Sequence, residues 1–262
     1  MITFNNIGHY GRFGNQMFQY ATLYSLAKTR KYVHGVPFQI KSQDEYHNFC
    51  LPECFPNLSA KDSTGLEQIY KIKEKTFEYN AGIFGLLDHT DIAGYFQTEK
   101  YFADYRMHIQ REFDFSHEIK AKANDIRSLT REPVISLHIR LGDYLKVSDV
   151  HPVCEKSYYR EALNQLPDDL LIYIFSDDIE MAKQIFSDLN RKMVFVENTD
   201  KYVDMCLMNM CNYHIIANSS FSWWGAWLSE SKKTIAPAKW FGDSVHSPKN
   251  WSDIYSKDWI II

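Results

Sequence analysis

The chain has 262 residues, of which 45% are hydrophobic, so it can bury one or two substantial cores. Its 29 Lys and Arg residues are outnumbered by 33 Asp and Glu residues, which gives a net charge of −4. This balance argues against a nucleic-acid partner, because a surface for duplex nucleic acid requires an excess of basic residues. The 24% of charged residues and the modest Gly and Pro content exclude a disordered or low-complexity chain.

Cysteine usage and hydropathy favour a cytoplasmic protein. The five cysteines show no paired spacing, and a chain of this size does not depend on disulfides for stability. The first residues lack a basic segment followed by an apolar one, and no run approaches the ~20 apolar residues of a membrane span. We expect a cytoplasmic location and leave open peripheral contact at the inner membrane face and the oligomeric state.

The N-terminal half opens with a predicted strand, a glycine-rich loop and a helix. A short segment over 2–7 leads into Gly8–Gly14, and apolar residues then recur every three or four positions over 17–27. The stretch 31–97 mixes aromatics with Pro, Asn and Gly, which predicts irregular α/β structure. The stretch 99–130 has a helical composition.

The second half alternates predicted strands and helices. A break at Glu132-Pro133 precedes a strand over 134–139, whose apolar residues on both faces are typical of a parallel strand covered on both sides. Helices over 158–166, 180–189, 202–211 and 223–229 then alternate with strands over 170–175, 193–196, 214–217 and 233–236. This order predicts a doubly wound parallel sheet. We place one domain over 1–130, a second over 131–245, and a tail over 246–262 that packs back on the first.

The strand over 134–139 is followed by a candidate anion-binding residue. His138 and Arg140 are two positions apart, so they point to the same face of an extended chain. An arginine at a strand end before Gly142 suits a phosphate, because its planar guanidinium matches phosphate oxygens and keeps its charge. A local ion pair between Arg140 and Asp143 explains the spacing equally well.

Three serines follow the predicted strand over 214–217. In the segment 218–222, Ser219, Ser220 and Ser222 precede a helix, and hydroxyls with backbone N–H groups at a helix start can bind an anion. Helix capping by itself explains one serine and not three in four positions. We interpret the following tryptophans as core residues.

Two further segments are less specific. Asp177 and Asp178 follow the strand over 170–175, where they indicate either an ordinary helix start or a weak Mg²⁺ or Mn²⁺ motif. The loop over 11–16 lacks the terminal Lys-Ser/Thr of a Walker loop and does not fit GxGxxG spacing. It indicates only that the backbone approaches another group closely.

Five segments in order carry a resemblance to a known family. They are GRFGNQMFQYA (11–21), GYFQTEKYF (94–102), HIRLGDY (138–144), FSDD (175–178) and ANSSFSWWGAWLS (217–229). Together they resemble the α-1,2-fucosyltransferase family, glycosyltransferase family 11, of bacterial type, over residues 8–240. The resemblance implies an α/β, GT-B-like fold with two Rossmann-type doubly wound domains facing a cleft. The N-terminal domain would be the acceptor side and the C-terminal domain would bind GDP-fucose.

The resemblance also implies a reaction. L-Fucose would pass from GDP-β-L-fucose to the 2-hydroxyl of a terminal galactoside, with inversion and without a metal, in glycan or surface polysaccharide synthesis. Arg140 would bind the β-phosphate, His138 would lie near the guanosine, and Asp204 would read the guanine. Leu141 stands where many members have a second arginine, which puts paired arginines in doubt. The residues assigned to the donor are Gly14, Asn15, Gln16, His138, Arg140, Asp177, Asp204, Ser219, Ser220 and Ser222.

Inversion calls for a general base, and two alternatives to this function stay open. We rank His151 first because an imidazole titrates near neutral pH, and Asp143 second because pairing with Arg140 would weaken it as a base. One alternative is a metal-dependent glycosyltransferase of other donor specificity that uses Asp177 and Asp178. The other is a non-catalytic carbohydrate-binding protein whose aromatic residues form sugar platforms.

Overall fold

The chain forms two compact units, described here from a computed structural model that covers residues 1–38 and 48–262. The first unit consists of Met1–Ser116 and Asn250–Ser256, and the second of His117–Lys249 and Lys257–Ile262. Each unit contains one parallel sheet with helices, as the predicted α/β class requires. Within the described ranges, no helix combines the length and apolar character needed to cross a membrane.

The first sheet has five strands, all parallel to their neighbours. They are β1 (Ile2–Thr3), β2 (His34–Val36), β3 (Lys61–Asp62), β4 (Tyr70–Lys73) and β5 (Thr90–Ala93), in the spatial order β3-β2-β1-β5-β4. The chain therefore builds outward from β1 on one side and fills the other side later. In open parallel sheets, ligands bind where the strand order reverses, which here is the carboxyl edge between β1 and β5.

Helix α1 (Phe13–Arg30) is the central helix of the first unit. It is buried along nearly its whole length, which confirms the helix predicted from the apolar spacing. The Tyr20 hydroxyl lies 2.6 Å from Glu112 Oε2, at the end of α2 (Arg106–Glu112). This bond ties α1 to α2.

The second sheet has six parallel strands. They are β6 (Val134–Ile139), β7 (Leu171–Ser176), β8 (Met193–Phe195), β9 (Tyr213–Ile215), β10 (Lys233–Ala236) and β11 (Ile260–Ile261). The spatial order β11-β10-β9-β6-β7-β8 is the doubly wound order of dinucleotide-binding folds. The helices are α3 (His117–Arg127), α4 (Lys156–Asn164), α5 (Ile179–Ile185), α6 (Lys201–Asn209) and α7 (Ser220–Leu228).

The core of the second unit lies around β6, which is buried at every position as predicted. Trp223, Trp224 and Trp227 of α7 are also buried, and the rings of Trp223 and Trp227 stack with centroids 5.9 Å apart. The interpretation of these tryptophans as core residues is confirmed. Their burial fixes α7 against the unit and so fixes the position of its first turn.

The division between the units differs from the boundary expected near residue 130. It falls between Ser116 and His117, because α3 packs against α6 of the second unit and Arg127 Nε donates to the Met210 carbonyl. The helical stretch 99–130 is accordingly split between α2 and α3. Of the predicted tail, 250–256 belongs to the first unit, whereas the last residues return to the second sheet as β11.

Candidate active site

The candidate site lies at the carboxyl edge of the second sheet, where β6 and β9 are neighbours. Arg140 follows β6, and 218–220 follow β9. Because the strands are parallel, both segments emerge at the same edge, and this is the point at which the strand order reverses. Ser136 of β6 lies opposite His214 of β9, 78 positions later in the sequence. The fold therefore brings Arg140 and the serine segment to the same edge of the sheet.

Arg140 is held by two carboxylates. Its Nη2 donates to Asp143 Oδ1 at 2.5 Å, and its Nη1 lies 3.1 Å from Asp177 Oδ2. The guanidinium carbon also lies 5.3 Å from the centroid of the Tyr144 ring. The ion pair with Asp143 considered from the sequence is therefore present. A guanidinium has five N–H donors, so these contacts leave Arg140 capacity for an anion.

Asp177 fixes the direction of the Arg140 side chain. Its Oδ1 accepts from the Leu141 backbone N–H at 2.9 Å while Oδ2 faces the guanidinium. A Cβ on Gly142 would lie only 2.2 Å from Asp177 Oδ2, so this approach requires a glycine. Leu141 itself is buried, which explains why an apolar residue occupies that position.

Asp178 has a different and purely local contact. Its Oδ1 accepts from the Met181 backbone N–H at 3.0 Å, so it caps the N-terminus of α5. The helix-start interpretation is thus confirmed for Asp178. Across 1–38 and 48–262, no group of three or more His, Cys, Asp or Glu side chains has an arrangement suited to a metal ion.

His138 is buried behind Arg140. Its Nδ1 lies 2.9 Å from Ser222 Oγ, and its carbonyl accepts from the Tyr159 hydroxyl at 3.2 Å. Burial, and then the neighbouring Arg140 charge, lower the pKa of His138 from 6.5 to about 3, so the imidazole is neutral at physiological pH. Because Ser222 is buried and bonded to this ring, the geometry favours an orienting role for it over contact with a phosphate.

The first turn of α7 presents the serine that remains accessible. Ser219 Oγ accepts from the Phe221 N–H at 3.3 Å and so acts as the helix cap. Ser220 is half-buried, and its hydroxyl has no protein hydrogen bond among the described residues. The helix begins at Ser220 and not at Trp223 as predicted. This places the Ser220 hydroxyl beside the positive end of the helix dipole.

Asn218 was given no role from the sequence, yet it connects three loops at this edge. Its Nδ2 donates to the carbonyls of Pro152 and Trp240, both at 2.9 Å, and its own carbonyl accepts from the Tyr144 hydroxyl at 3.1 Å. The signal available in the sequence was an asparagine directly after an apolar strand. The predicted base His151 lies in one of these loops, with its ring stacked on Tyr144 at 4.9 Å.

Asp204 lies on a separate element, in the first turn of α6. The Thr199 hydroxyl donates to Asp204 Oδ1 at 2.5 Å. Burial raises the pKa of Asp204 from 3.8 to about 6, an effect to which the nearby Asp200 adds. A carboxylate held out of water in this way can still accept hydrogen bonds from a ligand, and such bonds would offset its desolvation.

The remaining predicted residues belong to the first unit. Asn15 Oδ1 accepts from Gln97 Nε2 at 2.6 Å. Gln16 is buried, donates to the Asn48 carbonyl at 2.8 Å and accepts from the Cys50 N–H at 2.9 Å. Gln16 thus ties α1 to the segment that follows residue 47, while Gly14 is buried at the start of the helix.

Two doubly wound parallel sheets, one with a cationic and hydroxyl-bearing edge, are the arrangement expected of a GT-B-like fold. The family model described as "Glycosyl transferase family 11" matches residues 1–262, so the chain belongs to this glycosyltransferase family, as the resemblance implied. The chain is 31% identical to the α-1,2-colitosyltransferase of Escherichia coli, over 88% of this chain and 90% of that protein. It is 26% identical to galactoside 2-α-L-fucosyltransferase SEC1 of Bos taurus, over 84% of this chain and 62% of that protein.

A solved structure supports the fold. The crystal structure of POFUT1 in complex with GDP-fucose superposes with a TM-score of 0.57 at 13% sequence identity, covering 90% of this chain and 97% of that one. At this identity the likeness concerns the architecture alone. The predicted GT-B-like fold class is therefore confirmed.

Proposed function

We propose that this glycosyltransferase moves L-fucose from GDP-β-L-fucose to the 2-hydroxyl of a terminal galactoside, with inversion. The observation that carries the proposal is the meeting of Arg140 and the first turn of α7 at adjacent strand ends of a doubly wound sheet. That arrangement suits a diphosphate leaving group. The names of the α-1,2-transferring and galactoside-using relatives support the linkage and the acceptor.

In this proposal the edge of the second sheet stabilises the departing diphosphate. Glycosyl transfer passes through an oxocarbenium-like state, so negative charge grows on the leaving group. Arg140, the Ser220 hydroxyl and the helix N-terminus supply fixed positive charge and hydrogen-bond donors for that charge. Asp177 holds the guanidinium in place, because its other carboxylate oxygen accepts from the Leu141 backbone N–H.

Asp204 and His138 would bind the nucleoside. Guanine presents N–H donors on one edge, and the Asp204 carboxylate is an acceptor for them. His138 is neutral and bonded to Ser222, so it offers a fixed imidazole without adding charge. The two residues therefore suit a polar, uncharged base and not a second phosphate.

The base that deprotonates the acceptor hydroxyl is His151 in this proposal, with Asp143 as the second candidate. Asp143 is hydrogen-bonded to Arg140, whereas the His151 ring packs against the rings of Tyr144 and Phe241. A test compares kcat against pH for His151→Ala, Asp143→Asn and the wild type. We expect the acidic limb of the profile to disappear in His151→Ala. Its loss in Asp143→Asn, with an unchanged limb in His151→Ala, would move the role to Asp143.

The donor sugar has a second candidate, because the relative at 31% identity transfers colitose. Colitose is L-fucose without its 3-hydroxyl, so the two donors share the diphosphate, the nucleoside and the reacting carbon. The test is incubation of the purified protein with each GDP-sugar and a panel of terminal galactosides, with the linkage read by NMR. We expect α-1,2-fucosylated product. Product from the GDP-colitose arm alone would assign the donor to colitose, and no product from either would refute the proposal.

A further inference from the structure

Tyr144 lies in the short turn that follows Arg140, in the second unit. The guanidinium carbon of Arg140 lies over the Tyr144 ring, 5.3 Å from its centroid, and a cation in this position is attracted to the face of the ring. The His151 ring stacks on the same ring, with centroids 4.9 Å apart and planes 19° apart. The Tyr144 ring is therefore packed in a defined orientation beside the guanidinium.

The Tyr144 hydroxyl ties this turn to the neighbouring strand end. It donates to the backbone carbonyl of Asn218 at 3.1 Å. Asn218 follows β9 and stands two residues before Ser220, where α7 begins. Asn218 is only 1% exposed, and its side chain donates to the carbonyls of Pro152 and Trp240. The hydroxyl is therefore anchored to a segment of backbone that is itself fixed.

Two carboxylates also contact Arg140, but they do not fix it relative to β9. The Asp143 side chain is 49% exposed, and an ion pair this open to water holds a side chain only weakly. Asp177 follows β7, which lies on one side of β6 in the sheet, whereas β9 lies on the other side. Asp177 therefore ties Arg140 toward β7, and Tyr144, through Asn218, ties it toward β9.

We infer that Tyr144 is a positioning residue, which holds the Arg140 guanidinium in a fixed place relative to the first turn of α7 so that both meet one diphosphate. The inference rests on the proposed function, because that proposal assigns Arg140 and Ser220 to the diphosphate. An arginine side chain that is ordered before the ligand arrives loses less conformational entropy on binding. Donors that are already in place also need no reorganisation as charge develops on the leaving group.

The first test measures GDP binding by calorimetry, without an acceptor, in two variants. Tyr144→Leu removes both the ring and the hydroxyl, and we expect GDP to bind ~3- to 30-fold more weakly, the range for a cation over an aromatic ring. Tyr144→Phe keeps the ring beside Arg140 and loses the bond to Asn218, so GDP should bind about 3-fold more weakly. Wild-type affinity for GDP in either folded variant would overturn the inference.

The matched control is Tyr213→Leu. Tyr213 is also half-buried and has a cation over its ring, Lys232 Nζ at 5.9 Å from the centroid, but it lies at the opposite end of the sheet, where β9 begins. We expect this variant to bind GDP as the wild type does. Guanosine has no phosphate, so its binding, measured by competition, should be unchanged in Tyr144→Leu. Equal weakening of GDP and guanosine in Tyr144→Leu would overturn the inference, because the damage would then extend beyond the diphosphate contacts.

A double-mutant cycle keeps the test valid if Tyr144→Leu does not fold. If Tyr144 acts through the guanidinium, Tyr144→Phe should cause no further loss of GDP binding once Arg140 is replaced by alanine. The same loss in the presence and absence of Arg140 would overturn the inference. Because the measurement is GDP binding, a wild type that binds GDP but transfers neither sugar would refute the proposed function and not the role of Tyr144.

Discussion

The carboxyl edges of the two sheets differ in chemistry although both sheets are parallel and open. The second edge carries Arg140 between two carboxylates and the N-terminus of α7. The first edge carries the amides of Asn15 and Gln97, and its Glu74 carboxylate is occupied by backbone N–H groups. Charge at one edge suits a diphosphate, whereas neutral directional groups at the other suit oxygens that must be oriented.

The same parallel-sheet architecture therefore presents charged groups at one edge and neutral amides at the other. The strand order decides where side chains converge, and the residues after each strand decide which ligand chemistry converges there. If this comparison holds, substitutions at the second edge should affect catalysis most through charge.

Arg140→Ala should give the largest loss. Removing the guanidinium removes fixed positive charge from the developing diphosphate, which costs on the order of 10²–10³ in kcat by comparison with oxyanion donors. The measurement is steady-state kcat, with the melting temperature as a check on folding. Arg160→Ala is the control, because it also breaks an Arg–Asp pair, here with Asp188. A folded Arg140→Ala enzyme with near wild-type kcat would contradict the assignment of the diphosphate to the charged edge of the second sheet.

Asp204→Asn should weaken GDP binding and stabilise the protein. An amide replaces the acceptor that guanine needs, so calorimetry should show ~10- to 100-fold weaker binding, the value of a hydrogen bond to a charged group. The folded pKa is raised to about 6, so the folded state binds the proton more tightly than the unfolded state between pH 4 and 6. The ionised carboxylate therefore costs stability above pH 6, on the order of 3 kcal/mol.

The difference in stability between Asp204→Asn and the wild type depends on pH. The stability advantage of Asp204→Asn should be full at pH 7–8, should shrink as the pH falls through 6, and should vanish near 4. Chemical denaturation at three pH values measures it. An Asn variant that is less stable than the wild type at pH 8 would show that the carboxylate has a favourable partner in the folded protein.

Asp177→Asn should have a smaller effect, because it changes the orientation of Arg140 and not its charge. The amide oxygen can still accept from the Leu141 N–H, but the ion pair is lost. We expect kcat/KM to fall about 10-fold, in the range of lost contacts to charged groups. Asp178→Asn is the matched control, since its oxygen can still cap α5. Equal losses in both variants would point to a shared role instead.

Treatment with EDTA should have no effect on turnover. Asp177 is engaged by Arg140 and the Leu141 N–H, and Asp178 by the start of α5, so neither carboxylate is set up as a metal ligand. The assay is fucosyl transfer before and after dialysis against EDTA. Loss of activity that Mn²⁺ or Mg²⁺ restores would favour the metal-dependent alternative. Asp177 and Asp178 at the second edge would then be candidate metal ligands.

The local hydrophobic pattern of the sequence was sufficient to predict the strands and helices of the second unit. The alternation of apolar strands with helices predicted a parallel doubly wound sheet, and β6 and β10 have the predicted bounds. The position of Arg140 at a strand end also follows from the sequence, because the strand period and the following glycine are local features. Patterns were weaker in 31–97, where the strands are two to four residues long; residues 39–47 lie outside the described part.

The pairing of side chains was decided by the tertiary structure. Gln97 meets Asn15 across 82 positions and His138 meets Ser222 across 84, and neither pair follows from periodicity. The Asp177 contact with Arg140 likewise depends on β7 lying beside β6. Hydrophobic spacing determines which face of an element is buried, because burial depends on local period. It does not determine which strand lies beside which, and that order sets the partners of every polar group at the two edges.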